Sequence, residues 1–189
     1  MTVSTLVRHS PLEDWAPRFA ALEPAVVLAE RPFLAQLTLR VAPGQHSAVS
    51  TALGCPLPER PCTATAGAGL DVLWLGPDEY LVLGAPGTES ALLSLVDGLC
   101  RSAVDTSAQR TTVDLSGPHA RDVLAHGCAV DLHPLSSPPG TCVQTLLARA
   151  GVVLVARGGD AFTVLVRSSF AGYLAAWLVD AATEYVGES

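Results

Sequence analysis

The chain has 189 residues, 49% of them apolar, with 11 basic and 18 acidic side chains and a formal net charge of −7. A chain of this size buries about 70% of its extended surface, which excludes intrinsic disorder and suits one compact body or two small packed modules. Its acidity repels phosphate backbones and anionic lipid surfaces, and no stretch gathers enough arginine to reverse that, so neither nucleic acid nor a membrane is an expected partner.

Residues 1–32 alternate Pro11, Pro17, Pro24 and Pro32 with short apolar groups. They read as an irregular arm with a helical turn or two near 23–29. From residue 33 the pattern changes. Phe33, Ala35, Leu37, Leu39 and Val41 alternate with Gln36, Thr38 and Arg40, the period-two signature of a half-buried strand. Pro43-Gly44 ends it, Ala48, Val49, Ala52 and Leu53 recur at helical spacing, and Gly54 sits where a left-handed residue closes a helix. Residues 55–69 are rich in proline and small side chains and read as a connecting loop. Val72-Leu73-Trp74-Leu75 and Tyr80-Leu81-Val82-Leu83, joined by Gly76-Pro77-Asp78, predict a β-hairpin. Thr88 then offers an N-cap, and Leu92, Leu95, Val96 and Leu99 predict a helix to about residue 101.

The second half repeats this order. A strand is expected over 110–115, a helix with proline at its first position after Gly117-Pro118 and ending at Gly127, and an extra strand over 141–149. Gly158-Gly159-Asp160-Ala161-Phe162-Thr163-Val164-Leu165 resembles Gly76-Pro77-Asp78-Glu79-Tyr80-Leu81-Val82-Leu83. A long helix follows it, with Phe170, Leu174, Trp177, Leu178 and Ala181 on one side. The fold class is therefore α+β, two pseudo-repeated β-α-β-β-α modules (ferredoxin-like halves), with module one over 33–105 and module two over 106–189, packed as one body.

All 11 basic residues are arginine. Without lysine, Schiff-base catalysis and a phosphate loop of the G-x-x-x-x-G-K-[ST] type are unavailable. Charged side chains make up 15% of the chain, below the roughly 25% of an average soluble domain, a hint of a covered surface. Cys55, Cys62, Cys100, Cys128 and Cys142 contain no C-x-x-C pair, which fits neither a disulfide framework nor a zinc site, and the thiols are expected to be reduced and buried. His119, His126 and His133 are spaced by seven, about 10.5 Å apart along a helix, too far to converge on one metal. Gly67-Ala68-Gly69 leads into a strand instead of opening a helix, no G-x-S-x-G elbow occurs, and no carboxylate pair stands out. No catalytic, cofactor-binding or metal residue is nominated.

Three residues are candidate contacts for a partner. Arg110 and Asp114 lie four apart in one strand and share a face with Thr112, a face either solvated or used for recognition. Trp15, on the arm, is a candidate anchor into another surface. The first ten residues lack a signal-peptide pattern, and the apolar run 146–156 contains Arg149 and is too short to cross a bilayer, so the cytosol is the expected compartment.

Several segments together are similar to the gamma subunits of heterotetrameric sarcosine oxidases. They are Arg31-Pro32-Phe33-Leu34, Leu73-Trp74-Leu75-Gly76-Pro77-Asp78-Glu79-Tyr80-Leu81-Val82, Val104-Asp105, Gln109-Arg110-Thr111-Thr112, Leu115-Ser116-Gly117-Pro118, Gly127-Cys128 and Asp131-Leu132-His133-Pro134. Arg167-Ser168-Ser169-Phe170-Ala171-Gly172-Tyr173-Leu174 and Trp177-Leu178 continue the likeness, which spans about 31–185. The resemblance implies a complex that oxidises sarcosine with dioxygen and water to glycine, formaldehyde and hydrogen peroxide, or delivers the one-carbon unit to tetrahydrofolate. It places NAD and the folate site in the alpha subunit, FAD and FMN in beta and zinc in delta. It gives the gamma chain the folate-binding fold of aminomethyltransferases but no cofactor or catalytic residue of its own. The alternatives are a stand-alone folate-binding or aminomethyltransferase-like protein, which needs an acidic side chain and aromatic walls in a cavity between the modules, and a structural homo-oligomer.

Overall fold

A computed structural model describes residues 7–187. In chain order it contains α1 (Ala16–Ala20), β1 (Val27–Arg31), β2 (Ala35–Arg40), α2 (His46–Leu53), β3 (Ala64–Gly67), β4 (Leu70–Gly76), β5 (Glu79–Gly84), α3 (Glu89–Leu95), β6 (Ser102–Asp105) and β7 (Arg110–Ser116). It continues through α4 (Ala120–Ala125), β8 (Cys142–Leu147), β9 (Ala150–Gly158), β10 (Ala161–Arg167) and α5 (Ala171–Thr183).

The strands form two five-stranded antiparallel sheets, ordered β3-β4-β5-β2-β6 and β8-β9-β10-β7-β1. Written this way the two orders correspond strand by strand, which is the internal duplication expected from sequence. Two features extend it. The extra strand of the second half, β8, has a counterpart in β3, which lies inside the segment expected to be a loop; Ala64-Thr65-Ala66-Gly67 has no large apolar side chain to announce it. The edge strands are also exchanged. β1 runs directly into β2 but pairs with β7, Leu28 opposite Leu115 and Arg31 opposite Thr112. β6 runs directly into β7 but pairs with β2, Val104 opposite Thr38.

The exchange makes two short crossings, 32–34 and 106–109, run side by side between the sheets. In the first, Pro32 lacks an N–H to donate and Phe33 takes a φ of 60°, a left-handed conformation that a bulky residue rarely adopts. In the second, the Ser107 hydroxyl accepts from the Gln36 N–H at 2.9 Å and donates to the Asp105 carboxylate at 2.6 Å. The Thr106 N–H reaches the Gln36 carbonyl at 2.8 Å. Ser107 bonds from both hydroxyl and backbone hold the Asp105 carboxyl below its ordinary range.

Alternation along each strand sends one set of apolar side chains outward to helices and the other toward the opposite sheet. Leu37, Leu39, Val72, Tyr80 and Val82 meet Val49, Leu53, Leu92 and Val96 of the α2 and α3 layer. Val113, Leu115, Leu154, Phe162 and Val164 meet Val123, Leu124, Leu174 and Leu178 of α4 and α5. Between the sheets Leu73, Leu75, Leu81 and Leu83 pack on Cys142, Val153, Val155 and Leu165. The order of layers is helix, sheet, sheet, helix.

Several local expectations are corrected. The stretch expected to be helical at 23–29 ends in β1, whose five residues between Pro24 and Pro32 are too few to show a period; Leu12, Phe19, Leu22, Val26 and Leu28 of this segment are buried in the second-module core. α3 stops at Leu95, which is exposed, because the chain turns at Gly98 and enters β6; the Thr88 hydroxyl donates to the Ala85 carbonyl instead of capping. α4 begins two residues after Pro118, with His119 at the cap. Gly127 does not take a left-handed φ; a Cβ there would lie 2.6 Å from the Trp177 ring and 2.8 Å from the Ala148 nitrogen, so close approach of α5 explains the glycine. On α5 the buried stripe is Ala171, Leu174, Ala175, Leu178 and Ala182, while Phe170 stands outside it.

We take the module boundary at 105/106 as a proposal. Expressed separately, residues 106–189 should lack a cooperative thermal transition, because their sheet is without its edge strand β1, and should regain one on mixing with residues 1–105, which supply β1, followed by circular dichroism. A 106–189 fragment that melts cooperatively on its own would show that β1 is dispensable.

Candidate functional site

The space between the sheets is apolar over β4, β5, β9 and β10, and polar where β2 and β7 face inward. Because Leu37, Leu39, Val113 and Leu115 point to the helices, Gln36, Thr38 and Arg40 of β2 and Arg110, Thr112 and Asp114 of β7 point the other way. Arg110 and Asp114 do share a face, but it is turned into the inter-sheet layer and they do not pair with each other. Asp114 instead accepts from the Thr163 hydroxyl at 2.7 Å, with the Arg31 Nε 3.7 Å from its other oxygen. Thr163 in turn accepts from the Arg157 Nε at 2.9 Å, and the Arg157 Nη2 reaches Asp71 of the opposite sheet at 2.7 Å. This chain, Asp71–Arg157–Thr163–Asp114, clamps one sheet to the other. Sequence reading missed it, since Asp71 and Arg157 lie 86 positions apart and nothing local connects them.

Arg110 lies beside the crossings. Its carbonyl accepts from the Gln36 side-chain amide at 2.8 Å. Its Nη1, the Gln36 Oε1 and the Thr112 Oγ1 are buried without a partner among the described residues. Burial lowers the Arg110 pKa from its ordinary value, with Arg167 adding to the effect and Glu79 opposing it. Gln36 is 1% exposed although the alternation of β2 puts it with the polar side chains. Trp15 sits at the start of α1, half-buried against the second-module core, its ring centroid 6.2 Å from that of Phe19 and 4.7 Å below the Arg18 guanidinium. One side of the indole is thus used within the chain.

The histidines and cysteines do not gather. His119 stacks on Tyr185 at 4.7 Å and lies 3.1 Å from Asp122, while the His126 Nε2 is 2.8 Å from the Tyr185 hydroxyl and 2.9 Å from Glu184. Both fasten α4 to the end of α5. No group of three or more His, Cys, Asp or Glu among the described residues could hold a metal ion. All five cysteines are free, but not all are buried as expected: Cys62 is exposed and Cys100 partly so. The inter-sheet layer also fails the requirements of a pterin. Leucine and valine fill it, and the cavity of about 480 Å³ beside Asp71 has no aromatic wall, its one carboxylate being taken by Arg157. Phe19 and Phe33 line a cavity of about 460 Å³ with Glu13, Glu23 and Glu30, but it lies under the N-terminal segment, and Glu30 already accepts from Thr111. Among the described residues no helix is long and apolar enough to cross a membrane.

Residues 40–184 match the family described as sarcosine oxidase, gamma subunit. A sarcosine oxidase subunit gamma from Arthrobacter sp is 39% identical over 189 residues, covering 96% of this chain and 93% of that protein. Another, from Corynebacterium sp. (strain P-1), is 37% identical over 193 residues, covering 98% and 95%. Among solved structures, a chain of heterotetrameric sarcosine oxidase from Corynebacterium sp. U-96 in complex with pyrrole 2-carboxylate superposes with a TM-score of 0.88 at 35% identity, over 96% of this chain and 98% of that one. Glycine cleavage system aminomethyltransferase T from Bartonella henselae superposes with a TM-score of 0.60 at 16% identity, over 86% of this chain and 48% of that one, a likeness of fold alone.

Cys142 tests the inter-sheet packing. Burial, with a smaller contribution from Cys62, pushes its thiol up to about 12 from a model-peptide value of 9.0. A raised thiol pKa leaves stability unaffected below pH 9 and removes it between pH 9 and about 12, as the unfolded chain ionises first. At pH 8 an alkylating reagent should label Cys62 rapidly and leave Cys142 intact until denaturant is added, as read by mass spectrometry. Equal labelling of both in the folded chain would refute the close packing of the sheets.

Proposed function

The chain belongs to the sarcosine oxidase gamma subunit family, and on that premise we propose that it is the gamma subunit of a heterotetrameric enzyme that oxidatively demethylates sarcosine. In that reaction sarcosine, dioxygen and water give glycine, formaldehyde and hydrogen peroxide, or the one-carbon unit passes to tetrahydrofolate as 5,10-methylenetetrahydrofolate. The near-full-length likeness to one chain of such a heterotetramer carries the reading. In it, this chain supports the complex and does no chemistry: NAD and the folate site belong to an alpha partner, FAD and FMN to beta and zinc to delta, in the cytosol. The residues agree with that role. Asp71, Arg157, Thr163 and Asp114 of the inter-sheet layer are engaged in holding the two sheets together, and the thiols that are buried are also held protonated where a shift is resolved.

For contacts with the partners we propose Trp15 on the helix side of the second sheet and Arg110 and Asp114 on its inner side. Trp15 is only partly buried, and the Asp114 side chain is 42% exposed despite its bond to Thr163.

Affinity capture of the tagged full-length chain from its native host should recover larger chains carrying flavin and NAD. Recovery of the chain by itself, with tight binding of tetrahydrofolate in an equilibrium titration, would replace the subunit reading with the folate-binding one. Trp15→Ala should cost the isolated chain about 1–2 kcal/mol, the share of the indole packed on Phe19, and should reduce recovery of the larger chains by a greater factor. A loss of recovery no larger than the loss of folded chain would make Trp15 a core residue only.

A further inference from the structure

The corner where β7 and β10 end is electrostatically incomplete. Arg110 and Arg167 stand directly opposite each other across that ladder. Like charges in such a position destabilise a sheet unless an anion lies between them. Neither makes an ion pair among the described residues, nor does Arg149 at the β8–β9 turn. The acidic group that acts on Arg110, Glu79, is itself bound to Arg40 at 2.8 Å. One guanidinium nitrogen of Arg110 is buried with nothing to donate to among the described residues.

This corner is also open. Arg110, Arg167, Gln144, Leu146, Gly151 and Leu165 help line a groove of about 370 Å³. Gly151 keeps its floor clear, a Cβ there meeting nothing within 4 Å. Leu146, 60% exposed, is part of its lining, and just past Arg167 the β10–α5 junction presents Phe170 and Tyr173, 45% and 43% exposed. The Arg149 N–H donates to the Tyr173 hydroxyl at 3.3 Å, joining the β8–β9 turn to that junction. Arginine, tyrosine and phenylalanine around an apolar patch are the side chains that anchor protein interfaces, and in a chain of net charge −7 three arginines without a counter-ion ask for one from outside.

We propose that this groove and its rim dock a carboxylate-bearing surface segment of another subunit, whose Asp or Glu side chain enters between Arg110 and Arg167 while Leu146, Phe170 and Tyr173 cover apolar surface beside it. The proposal rests on the subunit reading. It makes assembly sensitive to salt, since Arg167 is exposed and the pairing is partly screened until the contact closes.

The sequence itself supplies the test, because it has no lysine. In the full complex co-expressed with the full-length chain, Arg167→Lys introduces a single side-chain amine and should preserve assembly. Zero-length carbodiimide coupling should then join position 167 to a partner Asp or Glu, located by mass spectrometry. Arg167→Glu should recover at least tenfold less large chain per tagged chain, yet melt higher in isolation because the new carboxylate pairs with Arg110. Undiminished recovery with Arg167→Glu, or coupling only to carboxylates of this same chain, overturns the docking site and leaves the subunit reading standing. Failure of the unsubstituted chain to recover any larger subunit overturns both.

Discussion

The exchange of β1 and β6 between the two sheets is the constraint on which the rest depends. β2 and β7 are the strands next to the edge in their sheets, and each takes its outer neighbour from a segment that leads into the other. A half deprived of that neighbour would expose a row of unpaired N–H and C=O groups, the kind of edge that aggregates. The sheets therefore must meet where the crossings run. The crossings are three and four residues long, which leaves no slack for the sheets to separate. Face-to-face packing through Leu73, Leu81, Val153 and Leu165 follows from the connectivity as well as from the hydrophobic effect.

The polar strip on β2 and β7 is best understood as the price of that arrangement. Crossing backbone carries donors and acceptors into the middle of the layer, and buried polar groups left unpaired cost about 1–3 kcal/mol each. Gln36 answers part of this demand with three groups at once: its N–H to Ser107, its carbonyl to Thr106 and its side-chain amide to the Arg110 carbonyl. The relay from Asp71 through Arg157 and Thr163 to Asp114 does the same at the far end of the strip and adds charge-assisted bonds, roughly twice as strong as neutral ones. The exceptions among the described residues are Arg110 Nη1, Gln36 Oε1 and Thr112 Oγ1, which are buried without a partner, and Arg110 also lines the groove at that corner, where the strip ends.

Local chemistry made much of the fold legible. Period-two runs marked β2 and β7, Gly54 ended α2 with a φ of 64°, and two apolar runs joined by Gly76-Pro77-Asp78 marked β4 and β5. Elements without a strong local period were missed. β1 is shortened by flanking prolines, β3 is built of small residues, and β6 has only Val104 as a large apolar side chain, exposed at that. These three are the outermost or exchanged strands, fixed by tertiary pairing more than by their own sequence. The site suffered in the same way. Alternation placed Arg110, Thr112 and Asp114 on one face correctly, but whether that face meets water or another sheet depends on connectivity, and the partners that count, Gln36, Asp71, Arg157 and Thr163, come from distant strands.

The same layer constrains what the chain can do. To hold a flat heterocycle between the sheets, side chains such as Leu73, Leu81, Val153 and Leu165 would have to shrink, and each large-to-small change in a core costs about 2–5 kcal/mol. A few of them would exhaust the roughly 5–15 kcal/mol that keeps a domain folded. A pocket cannot be opened there by small steps without losing the crossings that the layer supports. Function is thereby pushed to the outside of the molecule, and the composition of that outside is suited to contact: arginine as the only strong base, a charged fraction of 15%, and large apolar side chains exposed beside the β8–β9 turn. Arginine is favoured in interfaces where lysine is disfavoured, because its flat, weakly hydrated head loses less on leaving water and forms paired bonds to carboxylates. An interior filled for rigidity and a surface equipped with arginine are what a chain needs when its task is to be held by its neighbours in a fixed geometry.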